Sequence, residues 1–127
     1  KEGYCVAVGP SFGHASKKEL ENKTFETPAI LANAGCRVSI ITDSPVVQEQ
    51  YLTLSAALAI KAGMTEHQAL QAITSNAAAH IGADDRVGSI EAGKDADLVL
   101  TKGSPFDPEA KICYTIIDGK VVYKDLL

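Results

Sequence analysis

Two short apolar runs, residues 4–9 and residues 37–42, constrain more than any other feature how this chain can fold. Each run is rich in small or β-branched residues and is followed closely by a proline, which interrupts regular structure. A nearly continuous apolar run of this length is typical of a β-strand, and the first has the pattern of a strand covered on both faces. The sequence therefore predicts one strand in each run.

A short helix is predicted between these strands, over residues 28–34. Thr27 is a suitable N-cap, Pro28 suits the first helical position, and Gly35 can adopt the left-handed conformation that ends a helix. Strand, crossover and strand in this order predict a parallel unit. The carboxyl ends of parallel strands face the place where α/β proteins hold their functional groups, so the loops that follow the two runs are candidate site loops.

The chain between the second run and residue 82 is predicted to be helical. Residues 48–62 carry apolar side chains at helical spacing. Thr65 and Gln68 form the pattern of a capping box, which predicts that the next helix begins there. A brief alanine-rich helix is predicted over residues 77–81.

From Gly88 onward the pattern changes to glycine-punctuated runs with alternating polarity. Asp118-Gly119 is a strong signal for a two-residue β-hairpin. The chain therefore divides into an α/β part, residues 1–85, and an all-β part, residues 86–127. The predicted β runs of the second part are residues 89–90, 97–101, 114–117 and 120–123.

Composition narrows the possible partners. With 12 basic and 16 acidic residues the net charge is −4, which argues against nucleic acids and anionic membranes as partners. Charged or polar residues interrupt every apolar stretch well before the roughly 20 residues that a membrane span requires. The first residues do not have the pattern of a signal peptide, so we expect a cytoplasmic protein. Because the chain starts at Lys1, we also expect it to be part of a longer protein.

The three cysteines, Cys5, Cys36 and Cys113, form neither a Cys-x-x-Cys pair nor the framework of a small secreted protein. All lie in or beside strand-like runs. We therefore predict reduced and mostly buried thiols.

Candidate site residues lie in the two loops at the predicted carboxyl ends of the strands. Asp43 follows the second strand, where composition alone favours a turn or helix N-cap residue. His14 follows the first strand and is a candidate ligand contact. His67 and His80 lie on predicted helices and do not form the paired pattern of zinc ligands. The sequence contains no glycine-rich phosphate loop.

Several stretches together resemble the carboxyl-terminal part of the metal-dependent amidohydrolase superfamily, in detail the imidazolonepropionase-related amidohydrolases. The string Gly-Ser-Ile-Glu-x-Gly-Lys-x-Ala-Asp-Leu-Val is highly specific for this likeness. The resemblance covers nearly the whole chain. Its stretches are residues 9–13, 37–45, 48–82, 87–100 and 117–123.

This resemblance implies a (β/α)₈ barrel that holds divalent metal, with zinc expected, and a small β-sandwich built from segments before and after the barrel. Residues 1–85 would hold the last two βα units of the barrel, and residues 86–127 the later strands of the sandwich. The implied reaction is hydrolysis of a C–N bond in a small-molecule substrate by a metal-activated water. At the position of Asp43 the family has an aspartate that contacts the metal or its water and moves a proton to the leaving nitrogen.

Departures from the family pattern limit what the chain can do alone. The family's His-x-His motif, its bridging lysine and its two later metal histidines have no counterparts here, so this chain is predicted not to build the metal site by itself and to be inactive alone. Ser44 stands where many relatives have histidine. Ser44 and His14 are the candidate substrate-binding residues.

The specific string, residues 88–100, is predicted to have a structural role, because its glycines suit turns and its charges suit a surface. Strands left without their usual neighbours also predict a homo-oligomer. A rival interpretation is a non-catalytic α+β module for interaction or assembly, derived from an amidohydrolase. 

Overall fold

The computed structural model describes residues 3–12 and 18–125. Within them lie five strands and four α-helices, with short 3₁₀ turns at Lys18–Leu20 and Glu49–Tyr51. In chain order these are β1 (Cys5–Val8), α1 (Thr27–Asn33), β2 (Arg37–Ile40), α2 (Leu52–Lys61), α3 (Glu66–Ile73), α4 (Ser75–His80), β3 (Leu98–Lys102), β4 (Lys111–Ile117) and β5 (Lys120–Lys124).

The first two strands pair in parallel, which confirms the predicted strand–crossover–strand unit. Cys5 lies opposite Arg37, and Val8 lies opposite Ile40. The pairing extends past β2, since the Ile41 N–H donates to the Val8 carbonyl at 3.0 Å. The carboxyl ends of β1 and β2 therefore lie side by side.

The helices cover one face of this parallel pair. Val38 and Ile40 are buried against them, together with small residues of α2 and α3. The alanine side chain occupies little volume, so the helices approach the strands closely. These buried alanines are Ala56, Ala59, Ala69 and Ala72.

The opposite face of the parallel pair is covered unevenly, since Ser39 of β2 is buried there whereas the residues of β1 on the same face are not. Cys5 and Ala7 of β1 are exposed, so the prediction that this strand is covered on both faces is wrong for this part of the chain. The burial predicted for the cysteines is also wrong. All three thiols are free, but Cys5 is exposed, and Cys36 and Cys113 are only half-buried.

Local capping chemistry sets the start of α3. The Thr65 hydroxyl accepts from the Gln68 N–H at 3.1 Å, and the Gln68 side chain accepts from the Thr65 N–H at 2.9 Å. This confirms the predicted capping box. At α1 the prediction is wrong by one residue, because Glu26 is the N-cap and Thr27 is already helical. The Glu26 side chain makes no capping bond, and its N–H donates to the Thr24 hydroxyl at 3.2 Å.

The last helix, α4, begins earlier than the predicted residues 77–81. Its second residue, Asn76, donates its side-chain amide to the Val38 carbonyl at 2.9 Å. This bond links α4 to β2.

The carboxyl-terminal strands form an antiparallel sheet in the order β3-β4-β5. The predicted hairpin at Asp118-Gly119 is confirmed between β4 and β5. Residues 89–90, predicted as a β run, belong to an irregular segment instead. Gly88 at its start has φ of +93°, and an added Cβ would lie 2.6 Å from that of Ala78, so this segment packs tightly on α4.

Polar contacts hold this segment in place. Arg86 pairs with Asp95 at 2.5 Å. The Ser89 hydroxyl donates to Glu91 and accepts from Lys94, and these two neighbours hold the pKa of Glu91 below its usual value. The contacts give the family-specific string a structural role.

Asp97 links the same segment to the hairpin. Its carboxylate accepts the N–H of Asp118 at 2.8 Å, and the Gly119 N–H donates to the Ala96 carbonyl at 3.1 Å. We predict that Asp97→Ala lowers the free energy of unfolding by about 1 kcal/mol, because the hairpin turn loses a charge-assisted hydrogen bond. Urea denaturation of the chain measures this.

The matched control is Asp85→Ala. Asp85 is exposed, and its side chain makes no hydrogen bond to any described residue. An equal loss of stability in both variants would show that the Asp97 bond contributes nothing specific.

None of the described helices has the length and apolar character that a bilayer crossing requires.

Candidate functional site

The loops that follow β1 and β2 are in direct contact through Gly9. This residue has φ of +147°, and an added Cβ would lie 2.0 Å from the Ile41 carbonyl oxygen. Only glycine permits that approach of one backbone to another. The contact fixes the exit of β1 against the residues that lead to Asp43, and the sequence analysis recognised Gly9 only as the end of a strand.

Asp43 lies at the carboxyl edge, exposed, in the left-handed conformation with φ of +55°. Its carbonyl accepts the Val46 N–H at 2.8 Å, which closes a turn through the main chain. The 3₁₀ turn that follows is capped by Gln48, so Asp43 is a turn residue and not an N-cap. Among the described residues its carboxylate has no hydrogen-bond or ion-pair partner, which leaves the side chain available to a ligand.

The other predicted site residues are placed differently. Ser44 follows Asp43 in the same turn and is exposed, so the structure brings these two together. His14 lies outside the described residues. His67 on α3 and His80 at the end of α4 are exposed, and neither belongs to the loops at the carboxyl edge.

The donor set does not make a metal centre in the described part of the chain. No group of three or more His, Cys, Asp or Glu side chains there is arranged to hold an ion. A catalytic zinc takes three protein ligands, and Asp43 supplies a single carboxylate. The residues present therefore do not fit a complete divalent-metal site.

An apolar cleft of about 510 Å³ lies beside the Asp43 turn. One wall is Phe12, from the loop after β1. The other begins with Pro45, directly after Ser44. No sequence pattern indicates the cleft, because its walls come from segments far apart in the chain. We call this feature the apolar cleft; its lining is Phe12, Pro45, Val46, Val47, Gln48, Tyr51 and Leu54.

A carboxylate presented at the carboxyl edge of parallel strands, beside a cleft, defines the class of α/β proteins that hold their functional groups in these loops. Residues 10–122 match the sequence profile of the amidohydrolase family. The chain belongs to the amidohydrolase family.

Individual relatives agree with this assignment. An amidohydrolase of Thermotoga maritima of known structure has a TM-score of 0.88 and 40% identity, over 94% of this chain and 31% of that one. An imidazolonepropionase of Thermoplasma acidophilum is 34% identical in an alignment 111 residues long, which covers 80% of this chain and 27% of that protein. An amidohydrolase of Hapsidospora irregularis is 32% identical over 109 residues, which are 86% of this chain and 11% of that protein.

These matches confirm the resemblance drawn from the sequence, including the likeness to imidazolonepropionases. The structural neighbours imply a fold related to the TIM barrel, and the chain itself has mixed helices and sheets. The chain spans between about a tenth and a third of the length of these relatives.

Proposed function

We propose that this chain is the carboxyl-terminal part of a hydrolase that cleaves a C–N bond in a small molecule, and that Asp43 is its catalytic carboxylate. The observation that supports this most directly is the position of Asp43. It stands exposed at the carboxyl edge of two parallel strands, with no partner for its side chain among the described residues. Chains of the amidohydrolase family share this fold, which supports hydrolysis as the reaction.

In the proposed reaction, water attacks the carbon of the C–N bond, and Asp43 accepts the proton that the water loses. The new C–O bond forms as the tetrahedral carbon develops. Asp43 then gives the same proton to the nitrogen, the C–N bond breaks, and the amine leaves. Because the proton returns to the product, the carboxylate is regenerated at the end of each turnover.

The proposal also covers the organisation of the longer protein. Residues 1–85 would contribute the last two βα units of a (β/α)₈ barrel, and residues 86–127 strands of the accompanying β-sandwich. A divalent metal, with zinc expected, would take most of its ligands from outside the described residues, since these supply no group of three. Ser44 and His14 remain the proposed substrate contacts.

Metal removal tests this arrangement. We predict that the 127-residue chain binds zinc only weakly and hydrolyses nothing at an enzymatic rate, because one carboxylate cannot replace a ligand set of three or four. The intact protein should hydrolyse cyclic or linear amides, lose that activity with a chelator and regain it with zinc. Calorimetry of the chain and rate measurements on the intact protein check both statements.

A stoichiometric, submicromolar zinc site on the isolated chain would show that its ligands are not elsewhere. An intact protein that keeps full activity after complete metal removal would contradict the metal dependence. The two results are independent of each other.

A second candidate function is a non-catalytic module for interaction or assembly. It is favoured by exposed apolar side chains on the β3-β4-β5 sheet, which no described element covers. The same surfaces support the proposed homo-oligomer. Lack of hydrolysis by the intact, metal-loaded protein would favour this candidate. The exposed side chains include Val99, Ile112, Val121, Val122 and Tyr123.

A further inference from the structure

We propose that the apolar cleft binds an uncharged apolar group of the substrate, such as an aromatic or branched aliphatic side chain next to the C–N bond. This inference rests on the proposed function, since it takes Asp43 as the reacting end of the site. It adds to that proposal the chemical class of the substrate group next to the C–N bond.

One wall of the cleft is joined directly to Asp43. The Val46 N–H donates to the Asp43 carbonyl at 2.8 Å, and the Val47 N–H donates to the Thr42 carbonyl at 3.3 Å. Both valines line the cleft. A group held between these side chains is therefore positioned relative to the carboxylate by a single turn of backbone.

The other wall is fixed from several sides. The Phe12 ring meets that of Phe25 edge to face, with ring centroids 5.1 Å apart, and lies 6.5 Å from that of Tyr51. Lys23 donates its ammonium group to the Phe12 carbonyl at 3.0 Å. An aromatic wall held in this way is preorganised, so binding costs little conformational entropy.

The lining chemistry selects an uncharged group. No described lining residue carries a charge, and Gln48 and the Tyr51 hydroxyl are its polar groups. An anion would lose water there without gaining a cation from the described lining residues, whereas an apolar group gains from burial. The volume of about 510 Å³ lies within the range typical of small-molecule sites.

The exposure of the apolar lining also supports binding of an apolar group in the cleft. Val46 is 66% exposed and Tyr51 is 43% exposed. Contiguous exposed apolar side chains around a concavity are characteristic of binding sites. One wall of this cleft begins with Pro45, two residues after Asp43 in the same turn.

The test is a two-dimensional NMR titration of the full 127-residue chain with two probes. N-acetyl-L-phenylalanine amide is uncharged and apolar, and N-acetyl-L-aspartate is anionic. We expect the first probe, and not the second, to shift the amide signals of residues 46–54. Val46→Asp and Tyr51→Ala should each weaken its binding about tenfold, because each removes apolar contact from the cleft.

The matched control is Ile90→Asp, which places the same charge at an apolar residue that is 86% exposed and lies outside the cleft. It should leave probe affinity unchanged. Tyr51→Ala keeps the test valid if Val46→Asp does not fold. Absence of shifts with the first probe, or equal binding of the anionic probe, would overturn the inference.

Two further outcomes separate this inference from its basis and from another occupant. Asp43→Asn should bind the apolar probe as well as the original chain, so a failure of the catalytic role leaves the binding result standing. Conversely, if the intact enzyme is active but the chain does not bind the probe, the binding role of the cleft is refuted and the proposed function stands. Shifts of the same signals on raising the protein concentration without probe would assign the cleft to a second copy of the chain and overturn the inference.

Discussion

Replacing Asp43 by asparagine should lower kcat of the proposed hydrolase by about two orders of magnitude or more, because an amide cannot accept the proton released by the attacking water. Asparagine keeps the size of the side chain and tolerates the left-handed backbone at φ of +55°. Since the carboxylate has no partner among the described residues, the melting temperature should move by no more than about 2 °C. Steady-state kinetics and thermal melting of the purified variant measure the two effects.

The chain offers a close control in Asp118→Asn. Asp118 is also an exposed aspartate in the left-handed region, with φ of +50°, but it lies in the hairpin between β4 and β5. Its N–H, which donates to Asp97, is kept in the variant. This control should retain kcat, whereas near-normal turnover of Asp43→Asn across pH would reduce Asp43 to a residue of the backbone turn.

Local chemistry explains which parts of the fold the sequence predicts. The capping box needs only Thr65 and Gln68, three residues apart, and its hydrogen bonds form as soon as the first turn of α3 does. The hairpin depends in the same way on Asp118-Gly119, which accept positive φ. Both features are decided within a few residues, so pattern and structure agree.

Burial is where the sequence prediction fails, because it depends on layers that a strand pattern does not specify. The apolar run of β1 predicts a strand covered on both faces, yet Cys5 and Ala7, which share one face of this strand, are exposed. The predicted β run at residues 89–90 is also wrong. The chain there is held by side-chain bonds of Lys94 and Arg86 and not by a ladder of hydrogen bonds between strands.

In the candidate site, too, the sequence predicts the feature that depends on local pattern and not the one that depends on distant segments. The position of Asp43 follows from the end of a predicted strand, and the structure places it at the shared carboxyl edge. The apolar cleft depends on the meeting of Phe12 with Tyr51, which no local pattern contains. The sequence signals only Gly9, as a glycine directly before proline at a strand end. The close backbone contact that Gly9 makes is visible only once the position of Ile41 is known.

Substituting alanine for Gly9 should lower the free energy of unfolding of the chain by about 3 kcal/mol, a large part of the roughly 5–15 kcal/mol that stabilises a typical domain. Two costs add. The backbone at φ of +147° disfavours any side chain, and the new Cβ would lie 2.0 Å from the Ile41 carbonyl oxygen, a backbone atom that cannot rotate away. Urea denaturation monitored by circular dichroism measures the loss.

Gly35→Ala separates these two costs. Gly35 also has positive φ, +89°, but an added Cβ would meet no atom within 4 Å, so this variant should lose only about 1 kcal/mol. In Gly9→Ala, the strands must separate at their carboxyl ends, and the NMR signals of Ile41 to Asp43 should shift most. Equal losses in the two variants would mean that Gly9 serves only its own backbone conformation. A larger loss confined to Gly9→Ala, with shifts that reach Asp43, would show that the contact between the two loops holds the candidate catalytic carboxylate in place.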